Sequence, residues 1–260
     1  MVLTWPSPLI IAHRGASAYA PENTLAAIEL AIDMKAHMVE LDTKLTADEH
    51  VVVIHDQTVD RTTDGSGKVM DLSLAELKML NAGSQFSVDY GHANIPTLDE
   101  VFEFYGGKTL FNIELTNYTS PFDQLPEKVS QLIKRYDLQN SVLVSSFHPI
   151  PLSRFHKFSP DIPIALLARA AYLGFLSRGW LGRALIPYQA LHPNNRDVTK
   201  KLMDTAHHYG HRVHPYTVND QEEIKTLFRL GIDGIITDDP ALVSHLLSNN
   251  ESFVDHNNKQ

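Results

Sequence analysis

The run Met38-Val39-Glu40-Leu41-Asp42-Thr43 sets two carboxylates two residues apart in a stretch that otherwise reads as a β-strand. Strand side chains alternate between faces, so Glu40 and Asp42 point one way and Leu41 the other. With Leu41 turned to a helix layer, both acids face inward. Outward from this strand, short β-branched or apolar runs keep giving way to longer segments of helical spacing, the pattern of a parallel sheet with crossover helices. The predicted strands are residues 9–13, 38–43, 109–115, 141–147, 163–167, 184–191, 212–218 and 234–237. The clearest helices between them are 24–35, 122–136, 198–209 and 221–230. Gly210 and Gly231 stand where a helix closes ahead of the next strand, a position that favours a residue tolerant of the left-handed conformation. Eight strand-helix units in a chain of 260 residues match the size of a closed (β/α)8 TIM barrel, whereas a doubly wound open sheet usually needs fewer strands.

One interval breaks the rhythm. Residues 46–97 hold a short apolar run from Val51 to Ile54, the turn signal Asp64-Gly65-Ser66-Gly67 and an amphipathic run over 74–80. They read as a small inserted subdomain after the second barrel strand. Residues 1–248 are expected to form a single barrel domain. Residues 249–260, whose only hydrophobes are Phe253 and Val254, read as a polar C-terminal tail.

Lysine and arginine number 22 against 31 aspartates and glutamates, a net charge of -9. Nucleic acid is therefore not the expected partner, because a phosphate backbone demands a basic footprint. An anionic small molecule stays compatible if something local reverses the sign. The absence of cysteine removes disulfides, zinc-thiolate sites, iron–sulfur centres and thiol nucleophiles together. The start carries no lysine or arginine before Arg14, and Pro6 and Pro8 interrupt its apolar stretch, so it lacks the pattern of a secretory signal and the expected location is cytoplasmic. The most apolar segment, 163–186, is broken by Arg169, Arg178 and Arg183, which argues against stable membrane insertion.

In a barrel of this kind, functional groups come from the carboxyl ends of different strands. The first strand ends in His13-Arg14-Gly15, the inserted strand in His55-Asp56, and the third barrel strand carries Asn112-Ile113-Glu114-Leu115-Thr116. Alternation puts Glu114 inside with Glu40 and Asp42. Three acids in one cavity repel one another unless protons or a cation hold them. An oxygen-ligated divalent cation, Mg2+ or Ca2+, is the expected occupant; the alternative for any one acid is a structural ion pair. Two imidazoles beside such a cation suit phosphoryl chemistry, one taking a proton from the attacking oxygen and the other protonating the leaving oxygen. The cation and Arg14 would stabilise charge on the remaining phosphate oxygens, although Arg14 also suits a brace for the Gly15 turn.

The ordered blocks His13-Arg14-Gly15, Pro21-Glu22-Asn23-Thr24, Glu40-Leu41-Asp42, Val53-Ile54-His55-Asp56, Asn112-Ile113-Glu114, Ser145-Ser146-Phe147 and Gly231-Ile232-Asp233-Gly234-Ile235-Ile236-Thr237-Asp238 resemble the glycerophosphodiester phosphodiesterase family. The resemblance implies a barrel with a small insertion that hydrolyses a small-molecule glycerophosphodiester to sn-glycerol 3-phosphate and an alcohol with a divalent metal. It implies His13 and His55 as the acid/base pair, Glu40, Asp42 and Glu114 as metal ligands, and Arg14 as a phosphate contact. Such a substrate carries a hydroxyl beside its phosphate ester, so internal attack through a cyclic phosphate is one expected route.

The chain departs from the family pattern at Thr116, where a lysine is usual two residues after the third acid. Threonine donates a hydrogen bond but cannot neutralise charge. Lys44 continues the alternation of Glu40 and Asp42 and is the candidate replacement in the substrate pocket, the alternative being a solvated strand-end lysine. Tyr216, where the family commonly has tryptophan, and His192, before Pro193, are further candidate lining residues. His207, His208, His211 and His214 crowd together, but Gly210 breaks the helical spacing that would align them, so a structural role is expected. Residues 169–183 hold three arginines and three aromatics without an acid and are read as a pocket cap, an anionic-surface contact or a plain crossover helix. The rival activities are a lysophospholipase D-type phosphodiesterase at a membrane surface, a glycosidase, which leaves Arg14 and both histidines without a role, and a barrel that binds phosphodiesters without turning them over.

Overall fold

The computed structural model describes residues 5–171 and 186–249. From residue 172 the 169–183 segment lies outside the described residues, as does the tail from residue 250. Parallel strands β1 (Leu9–His13), β2 (Met38–Leu45), β4 (Leu110–Leu115), β5 (Val142–Ser146), β6 (Ile164–Ala168), β7 (Ala190–Pro193), β8 (Arg212–Val213) and β9 (Gly234–Thr237) follow one another around a barrel in the order β8-β7-β6-β5-β4-β2-β1-β9. The ninth strand, β3 (Val51–Val53), runs antiparallel to the extended end of β2, with Thr43 opposite Val53.

β8 and β9 share no regular ladder. The segment predicted as strand over 212–218 pairs fully only at its start, because Pro215 has no N–H to donate. Single hydrogen bonds close the seam instead: Asp233 N–H to Val213 O at 3.0 Å, Ile236 N–H to Pro215 O at 2.9 Å and Val218 N–H to Ile236 O at 3.0 Å. The strand expected over 184–191 begins later, at Ala190, because Pro187 interrupts pairing ahead of it. Residues 184 and 185 lie outside the described residues.

Helices form where the sequence both caps and patterns them. Thr24 caps Leu25–Asp33, Thr199 caps Lys200–His208, and Asp220 caps Gln221–Arg229 through two backbone N–H groups. Gly210 and Gly231 take positive φ of 73° and 82°, as their positions after two helices required. Outward strand residues such as Val39, Leu41, Ile113, Val142 and Val144 share one core with Ile28, Val129 and Phe155 of the helix layer. Full burial of each such side chain contributes about 1.5–3 kcal/mol. Inside the barrel, Leu9, Ile11, Met38, Leu143, Ala165, Ala190 and Ile236 form an apolar plug. The acids therefore stand two and four residues further along the same face as Met38, toward the carboxyl ends of the strands.

Residues between β2 and β4 carry a hydrophobic cluster of their own, with Val52, Ile54, Val59, Val69, Leu77 and Ile95 buried. Two capping boxes, Ser73 with Glu76 and Thr97 with Glu100, start the helices Leu74–Lys78 and Leu98–Tyr105. No helix among the described residues is long and apolar enough to cross a membrane.

Candidate active site

The turn after β1 shapes one wall. Gly15 adopts φ +84°, and a Cβ there would lie 2.6 Å from the carbonyl of Ala27, so only glycine lets the turn close against the first helix. Arg14 before it is also left-handed, at φ 58°. That strain aims its backbone N–H at Glu40 Oε2, 2.9 Å away, and brings its Nε to 3.2 Å from Asp42 Oδ2. Asn23, left-handed at φ 59°, grips Asp42 from the other side. Its Nδ2 donates to Asp42 Oδ2 at 2.9 Å and its Oδ1 accepts from Asp42 N–H at 3.2 Å.

Glu40, Asp42 and Glu114 each offer an oxygen within 4.8 Å of the others, and all three are buried or nearly so. Burial, with Asp42 beside it, pushes Glu114 up to about 8 and Glu40 well above the ordinary carboxylate range. Tyr118 donates its hydroxyl to Glu114 Oε1, while the buried Glu40 Oε1 finds no partner among the described residues. An all-oxygen donor set with a free buried oxygen and excess negative charge fits a hard divalent cation.

Each of the two candidate imidazoles rests on an aspartate. His13, the register partner of Glu40, has Nδ1 2.6 Å from Asp238 Oδ1 just past the end of β9. Asp238 also accepts from Ser17 Oγ at 3.0 Å and Asn219 Nδ2 at 2.6 Å. Burial alone would raise the Asp238 carboxyl, but the His13, Asn219 and Ser17 bonds outweigh it and hold it at about 2. His55 follows Ile54, whose N–H donates to Asp42 O at 2.9 Å, and its Nδ1 lies 2.6 Å from Asp56 Oδ1. Arg61 Nε donates to Asp56 Oδ2 at 2.6 Å, and this bond, with His55, holds Asp56 at about 2. With Nδ1 engaged by its aspartate, each ring has Nε2 as its other nitrogen.

Lys44 and Thr116 meet across β2 and β4. Lys44 is 5% exposed, so it is not a solvated strand-end lysine. Its Nζ donates to Thr116 Oγ1 at 2.7 Å and to Thr116 O at 3.1 Å, and burial lowers it to about 8. Thr116 Oγ1 in turn donates to Thr43 O at 2.8 Å, so its single proton is committed to the backbone and not free for a phosphate. The two side chains substitute for one another's solvent beside a cavity of ≈ 220 Å³.

Tyr216 donates its hydroxyl to Ala168 O at 3.0 Å and meets Phe147 edge-on at 5.5 Å. Phe147 meets Tyr118 at 6.1 Å, which makes an aromatic wall leading back to Glu114. His192 does not reach open space: it is fully buried, with Nε2 3.1 Å from His214 Nδ1, and burial drops it to about 3, so it stays neutral. The remaining crowded histidines have separate partners, His207 on Asp233, His208 against Tyr209 and His211 against Tyr188.

The reading from sequence missed Asp56, Asp238, Asn23, Tyr118 and Phe147 as parts of this site. Four of them sit inside the blocks it singled out; Asp56 follows a candidate histidine and Asn23 takes a left-handed conformation, whereas Asp238 and Phe147 carried no local signal beyond their blocks.

The sequence profile of the Glycerophosphoryl diester phosphodiesterase family matches residues 13–242. The chain belongs to this family. A relative from Caldanaerobacter subterraneus named glycerophosphodiester phosphodiesterase is 39% identical over 92% of this chain and 97% of its own length. Another of that name from Bacillus subtilis is 31% identical over 90% of this chain and 84% of its own. Among solved structures, an Oleispira antarctica phosphodiesterase in complex with the product sn-glycerol-3-phosphate superposes with a TM-score of 0.85 at 30% identity, covering 93% of this chain and 97% of that one. Family membership accounts for the barrel and for the order of the blocks around its carboxyl face.

Proposed function

We propose that this chain hydrolyses glycerophosphodiesters to sn-glycerol 3-phosphate and an alcohol, with His13 and His55 moving the protons and Glu40, Asp42 and Glu114 holding one divalent cation, Mg2+ or Ca2+. The observation that carries the reading is the pair of aspartate-braced imidazoles set at strand ends beside three buried carboxylates. One imidazole takes a proton through Nε2 from the attacking oxygen, and the other gives one through Nε2 to the departing alcohol oxygen. Arg14, fixed by Glu22 and Asp42, presents positive charge to the non-bridging oxygens. When bound, the cation polarises the phosphate and offsets the charge of the three acids.

Lys44 and Thr116 enter this reading as a buried pair that ties β2 to β4 and lines the substrate pocket. Tyr216 lines the aromatic side of the pocket, and His192 is buried against His214. Residues 1–248 act as one catalytic unit, with the 46–97 insertion delivering His55. The exposed Met70, Met79, Phe86 and Val88 on that insertion favour testing a lysophospholipid substrate as the second reading.

The test is release of glycerol 3-phosphate from glycerophosphocholine and glycerophosphoethanolamine, and of lysophosphatidic acid from lysophosphatidylcholine, with and without chelator. Turnover of the first two, abolished by chelator and reduced at least ~100-fold in His13→Ala, is the expected result. Loss of less than about tenfold removes His13 from proton transfer. Product binding with no turnover at all identifies a binding barrel, and preferred turnover of the lysolipid selects the second reading.

A further inference from the structure

We propose that Arg61 is a positioning residue that sets His55 and Arg14 together, joining the inserted segment to the phosphate-binding side of the barrel; this rests on the roles given to those two residues above. Arg61 Nε donates to Asp56 Oδ2 at 2.6 Å, Nη1 to Glu22 Oε2 at 2.7 Å and Nη2 to Glu22 Oε1 at 2.8 Å. The far oxygen of Asp56 holds His55, and Glu22 Oε1 also takes Arg14 Nη1 at 2.8 Å. One guanidinium thus sits at the junction of two arms, His55–Asp56 and Arg14–Glu22, that come from different parts of the chain.

An exposed ion pair contributes little by itself, and the Arg61 side chain is 49% exposed. The planar three-bond fork is what makes this one different, because it fixes the orientation of both carboxylates and not merely their distance. Without it, among the described residues Asp56 keeps only its sequence neighbour His55, and Glu22 only Arg14, as side-chain partners. The loop that carries Arg61 has separate support. Val59 and Thr63 are buried, Thr63 Oγ1 donates to Val59 O at 2.8 Å, and Thr58 bridges Lys68. Replacing Arg61 therefore removes the fork and leaves the loop in place.

The two arms separate kinetically. On the full chain acting on glycerophosphocholine, Glu22→Gln is expected to raise KM about tenfold with little change in kcat, and Asp56→Asn to lower kcat about tenfold with little change in KM. Arg61→Gln should do both. Arg61→Lys, whose single ammonium cannot span both carboxylates, should repair at most one arm. In the double variant Arg61→Gln with Asp56→Asn, kcat should fall no further than in Asp56→Asn alone, because both changes break the same link. Melting temperatures of all variants are measured alongside. If Arg61→Gln melts early, Arg61→Lys decides the matter, since a purely structural charge would be restored by lysine in both constants. Arg61→Gln within twofold of wild type in both constants, full repair by lysine, or multiplying losses in the double variant each overturn the proposal. In those three cases the wild type still turns over; a wild type without turnover overturns the proposed activity and this inference with it.

Discussion

Strand β9 carries a histidine-aspartate pair at each of its ends, and the two are chemically alike. Beyond its carboxyl end, Asp238 holds His13 at 2.6 Å; before its amino end, Asp233 holds His207 at 2.8 Å. Position in the barrel separates them. His13 stands beside Glu40 at the carboxyl face, whereas His207 sits in the last turn of an outer helix and Asp233 Oδ2 also accepts the Val213 N–H at 2.8 Å. In the proposed reaction the first pair orients a ring whose other nitrogen exchanges the proton; the second ties a helix to the seam where β8 and β9 lack a ladder. On this reading a hydrogen-bonded imidazole acquires its role from the strand end that presents it, not from its aspartate.

The comparison breaks most visibly in turnover. His13→Ala should lower kcat by about 10²–10⁴ while His207→Ala leaves it within about twofold, measured at saturating glycerophosphocholine. Equal effects would dissolve the distinction. One step smaller, Asp238→Asn keeps the shape of the contact but turns an acceptor into a group that also donates, so His13 loses the bond that fixes its tautomer. A drop of about 10- to 100-fold in kcat with KM near wild type is expected. Unchanged kcat would mean that Ser17 and Asn219 alone position this corner.

The difference between the two pairs was only partly visible in the sequence. The inward acids were legible because strand alternation is a local rule that Glu40, Asp42 and Glu114 obey within a few residues of apolar neighbours. His13 and Asp238 lie 225 positions apart, and only barrel closure brings β1 and β9 together. Lys44 and Thr116, 72 apart, meet for the same reason across β2 and β4, and burial there was invisible from a charge at a strand end. Pro215 lies inside the run 212–218 expected as one strand, and its missing N–H limits regular pairing to the start of that run.

Acid stability sharpens the contrast further. Asp238 is held at about 2 in the folded chain, below the ordinary aspartate value near ~3.9. A depressed folded value stabilises the protein above the unfolded value, and that contribution disappears as pH falls from about 4 through about 2. The stability gap between wild type and Asp238→Asn, read from denaturant unfolding, should be present at neutral pH and narrow across that window. A gap independent of pH would show that the asparagine acts through packing rather than charge.

The smallest effect belongs to the other end of β9 and has the opposite sign. The hydrogen bond to Asp233 raises His207 above the usual imidazole value. A raised folded value contributes stability that is complete below the unfolded value near ~6.5 and fades as pH rises through the folded one. Because the His207 side chain is 43% exposed, solvent screens the pair and the contribution should stay within ~0–1 kcal/mol. His207→Gln is therefore expected to melt slightly earlier than wild type at pH 5.5 and nearly with it at pH 8.5, with activity unaltered at both. A larger gap at the higher pH would reverse the sign and mean that neutral His207, packed over the seam, contributes more than its charge.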